Sequence, residues 1–338
     1  MIRYRKLCIG LSVLALVAAL GVYTGASADD LGDLDDYADE TWDVIEDETI
    51  KGLMDLDDIA PFEDLAPLWD YQNAGLQRQV EEALESLGLM GAAKQGQLAV
   101  TLVDITRLEY PRTATVNGDK MMYAASLPKI AVLLAAFEKI AQGRMELDAA
   151  TEASLKRMIR VSSNTAATQM MHQVGKEYIA RVLLSPRYRL YDPKHNGGLW
   201  VGKDYGKSGL WRRDPLHNLS HGATAMQVAR FYYLLATENL VTPEYSRKMK
   251  TILQDTGLEH KFVRALRRID PQASLSRKSG SWSTFHSDSV IVERDGRAYI
   301  AVVLSNNPKG SRWLGQIITA LHRIMFPPAV ATAPASTP

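Results

Sequence analysis

Residues 130–140, IAVLLAAFEKI, carry apolar side chains on almost every face of a helix. Such a segment has no wet side, so it must lie inside the molecule with other elements packed all round it. That demand sets the architecture, because a central helix needs layers on more than one side. The rest of the chain supplies them. Residues 76–87 place Leu76, Val80, Ala83, Leu84 and Leu87 at helical spacing. Residues 98–105 read as a strand rich in β-branched side chains, with 113–116 as a partner strand and Asn117-Gly118 turning after it. Helices are expected over 165–174 and from Thr224, where Thr224 and Gln227 match a capping box ahead of Ala229, Tyr233 and Leu234. Near the far end, 289–293 and 298–304 flank Asp295-Gly296 as a hairpin, and 313–325 reads as a closing helix. Strands therefore lie at both ends of the body with helices between them. The expected fold class is α+β: a mixed or antiparallel sheet built from both chain ends, with an all-helical lobe inserted.

The N-terminus reads as an export signal. Arg3, Arg5 and Lys6 precede an apolar run over 7–22, and Ala26-Ser27-Ala28 offers the small residues a signal peptidase requires. The run falls short of the roughly 20 apolar residues of a membrane span. Cleavage is therefore expected, leaving a periplasmic or secreted protein with no membrane attachment. The single cysteine, Cys8, lies inside the signal. A processed chain would carry no thiol, which excludes disulfides, thiolate catalysis and cysteine metal sites.

A net charge of zero conceals an asymmetry. Residues 29–70 hold 17 acidic side chains and one basic one, Lys51, whereas from Tyr71 onward 35 basic side chains face 22 acidic ones. An acidic leader ahead of a basic body is either a solvated linker or a segment that folds back, and Trp42, Val44, Ile45, Ile50, Leu53 and Met54 offer it an apolar face. The expected division is a signal over 1–28, the leader over 29–70, a catalytic body over 71–326, and a Pro/Ala/Thr tail over 327–338. No nucleic-acid-binding motif occurs, so a nucleic-acid partner is not expected. The basic body leaves room for an anionic cell-wall polymer as a partner.

Three short motifs carry chemistry. In Ser126-Leu127-Pro128-Lys129, opening the buried helix, residues three apart share one helix face and the amine can reach the hydroxyl. Pro128 suits a first turn, and the helix N-terminus favours the negative charge that develops on Ser126. In an apolar pocket the pKa of Lys129 would fall, letting its neutral form act as base. Ser162-Ser163-Asn164 offers a second hydroxyl to relay a proton and an amide to hold a substrate carbonyl; it could equally cap the helix at 165. Lys278-Ser279-Gly280-Ser281 precedes the closing hairpin. A strand there would present Lys278 and Ser279 to a substrate carboxylate, let a substrate backbone approach Gly280, and supply the Ser281 N–H to an oxyanion hole with that of Ser126.

Each motif alone has a plain structural reading. In this order, together with Met158-Ile159-Arg160-Val161-Ser162-Ser163-Asn164-Thr165-Ala166-Ala167, they make residues 95–325 resemble the class A β-lactamase-like, penicillin-recognising serine hydrolases. The resemblance implies an acyl-enzyme at Ser126, with Lys129 as base and Ser162 as proton shuttle. It implies substrate contact by Asn164 and carboxylate binding by Lys278 and Ser279, and neither metal nor cofactor. The expected substrate is a β-lactam, with cell-wall D-Ala-D-Ala peptides as the alternative. A catalytically weak wall-binding protein of the same fold is a further alternative, disfavoured by the intact motif set.

The sequence departs from that pattern in places. Class A enzymes carry a deacylating glutamate in Glu-Pro-x-x-Asn; the nearest segment here, Asp214-Pro215-Leu216-His217-Asn218, shortens the acid by one methylene. Asp214 is therefore either a deacylation residue or the start of an Asp-Pro turn. The first two motifs lie closer together than in true lactamases. Residues 178–213 look inserted, and their Gly, Lys and aromatic side chains could grip a glycan-peptide strand or pack as a loop. His217 and His221 lack the acidic residue of a zinc-binding helix motif, and His286 is more consistent with a structural hydrogen bond than with the cleft.

Overall fold

The computed structural model describes residues 67–206 and 211–327. The proposed signal, the leader up to residue 66, the apolar set Trp42–Met54, four residues of the 178–213 segment and the tail beyond 327 lie outside the described residues. After a 3-10 turn (Leu68–Tyr71), helices α1 (Ala74–Ser86) and α2 (Met90–Lys94) lead into strands β1 (Leu98–Asp104), β2 (Arg112–Val116) and β3 (Met122–Tyr123). Four helices follow: α3 (Lys129–Ala141), α4 (Ala149–Arg160), α5 (Asn164–Val174) and α6 (Lys176–Leu184). Short strands β4 (Tyr191–Asp192), β5 (Gly197–Gly198), β6 (Trp200–Val201) and β7 (His221–Ala223) precede α7 (Ala225–Ala236), α8 (Pro243–Leu253) and α9 (Phe262–Ile269). Strands β8 (Ser274–Trp282), β9 (Phe285–Arg294) and β10 (Arg297–Asn306), then helix α10 (Gly310–Met325), complete the body.

Five strands form one antiparallel sheet in the order β2-β1-β10-β9-β8, so strands from both ends of the body meet at β1–β10. Both faces of this sheet are covered, and strand alternation sorts its side chains between two cores. Ile300, Val302 and Leu304 of β10 join the core that contains α3, while Tyr299, Ala301 and Val303 join the core of α1, α9 and α10. Helix α3 is buried at every position from Lys129 to Glu138 and again at Ile140, as its all-round apolarity demanded. The α+β architecture expected from the sequence is thus present, with the helical lobe entering between β3 and β8.

Two local expectations change and one open alternative closes. The Thr224 capping box is half formed: Thr224 Oγ1 accepts from the Gln227 N–H at 3.2 Å, but the buried Gln227 amide has no hydrogen-bond partner among the described residues. The leader's last residues belong to the body, because Leu68 is fully buried and Trp69 Nε1 donates to Asp119 at 3.0 Å. In the 178–213 segment the aromatics turn inward: Trp200 is fully buried and stacks near Trp211, so packing and not an exposed grip accounts for them.

Candidate active site

The chain reaches α3 through a tight turn. Ala125 holds a left-handed φ of +51°, Leu127 N donates to the Ala124 carbonyl at 3.1 Å, and Lys129 N to the Ser126 carbonyl at 3.3 Å. Ser126 therefore sits just before the helix and half-exposed, while Lys129 is its first buried residue. At the second motif, Ser162 adopts a φ of +57° and Ser163 caps α5 by accepting from Ala166 N at 3.2 Å. That turn aims Ser162 and Asn164 inward. Capping and chemistry coexist there, divided between neighbouring residues. The third motif lies in β8, the edge strand of the sheet.

The three motifs converge. Lys129 Nζ donates to the Ser162 carbonyl at 2.7 Å and to Asn164 Oδ1 at 2.8 Å, and lies 3.4 Å from Ser162 Oγ. Lys278 Nζ donates to the same Ser162 Oγ at 2.9 Å and to the Ser279 carbonyl at 2.7 Å. With its lone pairs facing two amines, the Ser162 hydroxyl keeps its proton free to donate. Gly280 brings β8 against the nucleophile: an added Cβ would lie 2.2 Å from the Ala124 carbonyl oxygen and 2.7 Å from Ser126 N. The Ser126 N–H has no hydrogen-bond partner among the described residues, which leaves it open to an oxyanion; Ser281 follows Gly280 on the same strand.

The direct Lys129–Ser126 contact expected from spacing is not among the hydrogen bonds. The oxygens at the start of α5 hold the amine instead, an arrangement that substrate-free sites commonly show before a complex tightens them. Burial pushes the Lys129 pKa down to about 7. The Tyr205 ring, with its centroid 4.5 Å from Nζ, favours the charged form by about 1 kcal/mol, too little to reverse the desolvation. Lys278 is also driven well below its ordinary value, by burial first and by the charge of Lys129 second.

Asp214 does not join this cluster. Its carboxylate is buried and accepts from the Tyr191 hydroxyl, from His217 N at 2.7 Å and from Leu216 N at 3.4 Å. It closes an Asp-Pro turn, and the hydrogen bonds of Lys129, Ser162 and Lys278 involve no carboxylate among the described residues. Of the other histidines, His217 Nε2 meets Asn196 Oδ1 at 2.9 Å, and His286 Nδ1 lies 3.4 Å from Ser281 Oγ. No group of three or more metal-ligating side chains occurs among the described residues.

Several residues that shape the site carry no sequence signal. Tyr205 covers Lys129, and His221 stacks parallel on Tyr205 at 4.2 Å; burial pushes His221 down to about 3 and keeps it neutral. Behind β8, Lys261 Nζ donates to the Gly280 carbonyl at 2.5 Å and to the Ser287 carbonyl at 3.0 Å. Beside it, Arg277 and Asp288 form a buried two-point ion pair at 2.7 and 2.8 Å. These contacts join distant segments, so only the 178–213 loop's glycine and aromatic content hinted at any of them.

No curated protein matches the sequence. Among solved structures, PBP-A superposes with a TM-score of 0.56 at 16% identity, covering 77% of this chain and 98% of that one. A β-lactamase from Sphaerobacter thermophilus gives 0.57 at 18%, covering 74% and 97%. A class A β-lactamase from Bacteroides cellulosilyticus gives 0.56 at 15%, covering 75% and 98%. At these identities the likeness establishes the fold. The family itself is established by sequence: the model of the β-lactamase enzyme family matches residues 79–154 and 152–325, and the chain belongs to that family.

Proposed function

We propose that the protein is an exported serine acyl-transfer hydrolase that is acylated at Ser126 by β-lactams and by peptides ending in D-Ala-D-Ala, and that it releases the acyl group slowly. The observation that carries this reading is the Ser162 hydroxyl held between the amines of Lys129 and Lys278 beside Asn164. Neutral Lys129 takes the Ser126 proton as Oγ attacks the substrate carbonyl, and the Ser126 and Ser281 N–H groups take the charge on its oxygen. The proton then passes by way of Ser162 Oγ to the departing nitrogen as its bond to carbon breaks. Lys278 and Ser279 receive the substrate carboxylate.

Fast β-lactam hydrolysis needs a group that activates water on the acyl-enzyme, and Asp214 is engaged elsewhere. That favours slow release, and with it a penicillin-binding peptidase over a lactamase. A PBP-A variant is known as an acyl-enzyme with penicillin G, which supports a β-lactam as ligand. The basic n-region and small-residue site support export.

Intact-mass spectrometry after mixing with penicillin G, followed by peptide mapping, tests this. The expected result is a one-to-one adduct on the Ser126 peptide that persists for minutes or longer and is absent in Ser126→Ala. No adduct, or an adduct elsewhere, overturns the reading. Rapid nitrocefin turnover abolished by Asp214→Ala would restore the lactamase.

A further inference from the structure

Lys261 is a buried cation with no acid of its own. It is 6% exposed, and burial pushes its pKa down to about 8, so at pH 7 it is mostly charged. The neighbouring Asp288 carboxylate is committed elsewhere. It takes Arg277 at 2.7 and 2.8 Å, Ser289 N at 3.1 Å and Phe262 N at 3.2 Å. Lys261 enters no ion pair among the described residues. Its amine donates to the main-chain carbonyls of Gly280 and Ser287, at 2.5 and 3.0 Å. Its φ of +50° is a left-handed conformation that a lysine keeps only where its surroundings impose it. A desolvated ammonium without a carboxylate is costly, and an apolar side chain of similar volume would fill the same space without that cost. Strand packing alone therefore gives no reason for this residue.

What the amine touches supplies one. The Gly280 carbonyl and the Ser281 N–H are opposite ends of a single planar peptide unit. The N–H is the donor assigned above to the oxyanion, and the oxygen on the other edge carries Lys261. A cation on that oxygen draws electrons through the conjugated O=C–N–H group and strengthens the N–H as a donor. It also fixes the rotation of the peptide plane, and with it the direction of the N–H. β8 is an edge strand with β9 on one side only, so no outer strand fixes that direction.

The same contact reaches the second donor. Gly280 packs against Ser126 N, where an added Cβ would lie at 2.7 Å. Ser287, paired with Gly280 across the strands, donates from Oγ to the Ala124 carbonyl at 2.9 Å. Lys261 thus clasps β8 and β9 at the register pair that touches the turn carrying Ser126.

We propose that Lys261 is a positioning residue for acylation: from behind β8 it orients and polarises the Gly280–Ser281 peptide whose N–H receives the oxyanion. This role rests on the acyl-transfer reading above and adds a residue outside the three motifs.

The test follows acylation of the full-length chain by penicillin G at pH 7, separating the binding constant from the first-order acylation rate. Lys261→Met should slow the acylation rate by about tenfold or more. The binding constant should change little, because Lys278 and Ser279 still take the carboxylate. The infrared carbonyl band of the acyl-enzyme, isolated with isotope-labelled penicillin, should move to higher wavenumber as its hydrogen bonds weaken. Lys261→Arg, which keeps a cation on the carbonyl, should recover most of the rate and return the band. Should Lys261→Met fail to fold, Lys261→Gln, which is neutral and polar, carries the same readouts with the same expected direction. A neutral variant that acylates at the wild-type rate, or that slows with its carbonyl band unmoved, overturns the positioning role. So does an arginine variant no faster than the neutral one. In each of those cases the wild-type adduct leaves the acyl-transfer reading standing, whereas no adduct on wild-type Ser126 removes both.

Discussion

Lys129 is where burial becomes chemistry. An amine that titrates near 7 is largely neutral just above that pH, so it can accept the Ser126 proton under ordinary conditions. The labelling rate with penicillin G should rise as pH passes through about 7 and level off above it. A rate flat from pH 5 to 9 would exclude Lys129 as the base. Lys129→Arg keeps the charge but cannot lose a proton, and should slow labelling by at least about a hundredfold. Ser126, Lys129, Ser162, Asn164 and Lys278 were legible because short sequence spacings place them at the starts of helices and on one strand. Asp214 was ambiguous for a physical reason: Asp-Pro serves equally as catalytic acid and as turn former, and only its partners Tyr191 and His217 separate the two. Tyr205 was illegible as a site residue because nothing adjacent in sequence announces Lys129 beneath its ring.

At the scale of elements, β8 is held from behind by charge. Breaking a buried ion pair by removing one partner costs about 3–5 kcal/mol, since the remaining charge stays desolvated. Asp288→Ala should therefore lower Tm by roughly 10 °C in thermal melts; a loss of only a degree or two would show that the Arg277 pair contributes little. Gly280→Ala tests the front of the same strand. The new methyl group would meet the Ala124 carbonyl and Ser126 N, both main-chain atoms with little freedom to move. It should cost about 1–3 kcal/mol and suppress Ser126 labelling beyond what the lower stability explains. Elements with strong periodicity were readable in sequence: α3 from its all-round apolarity, β9 and β10 from the Asp295-Gly296 turn, where both residues take positive φ. The two- and three-residue strands β3 to β7 were not, because a ladder that short has no period and is defined only by its partner. Helix α8 was missed although Thr242 caps it, Pro243 opens it, and Ser246, Met249, Ile252 and Leu253 fall at helical spacing on its buried face.

For the whole molecule, the α+β plan was readable because strands flank the helices along the chain, whereas the strand order was not, since pairing depends on contacts across the entire body. The pairing of β1 with β10 aligns Leu98 with Ser305, residues about two hundred positions apart. The middle of the sheet cannot form until almost all of the body has been made. Closing so long a loop is entropically slow, which places folding in the time range of non-local sheet proteins, milliseconds to seconds or longer. A chain ending before Arg297 should show no cooperative melt, because β1 and β9 would both lose their shared neighbour; a sharp transition in that fragment would contradict the sheet order. Were the chain exported as proposed, this delay would be useful during passage through a translocation pore. Until the final strands emerged there would be no finished sheet to jam the passage, and the strand that completes the fold would be among the last parts to arrive on the far side.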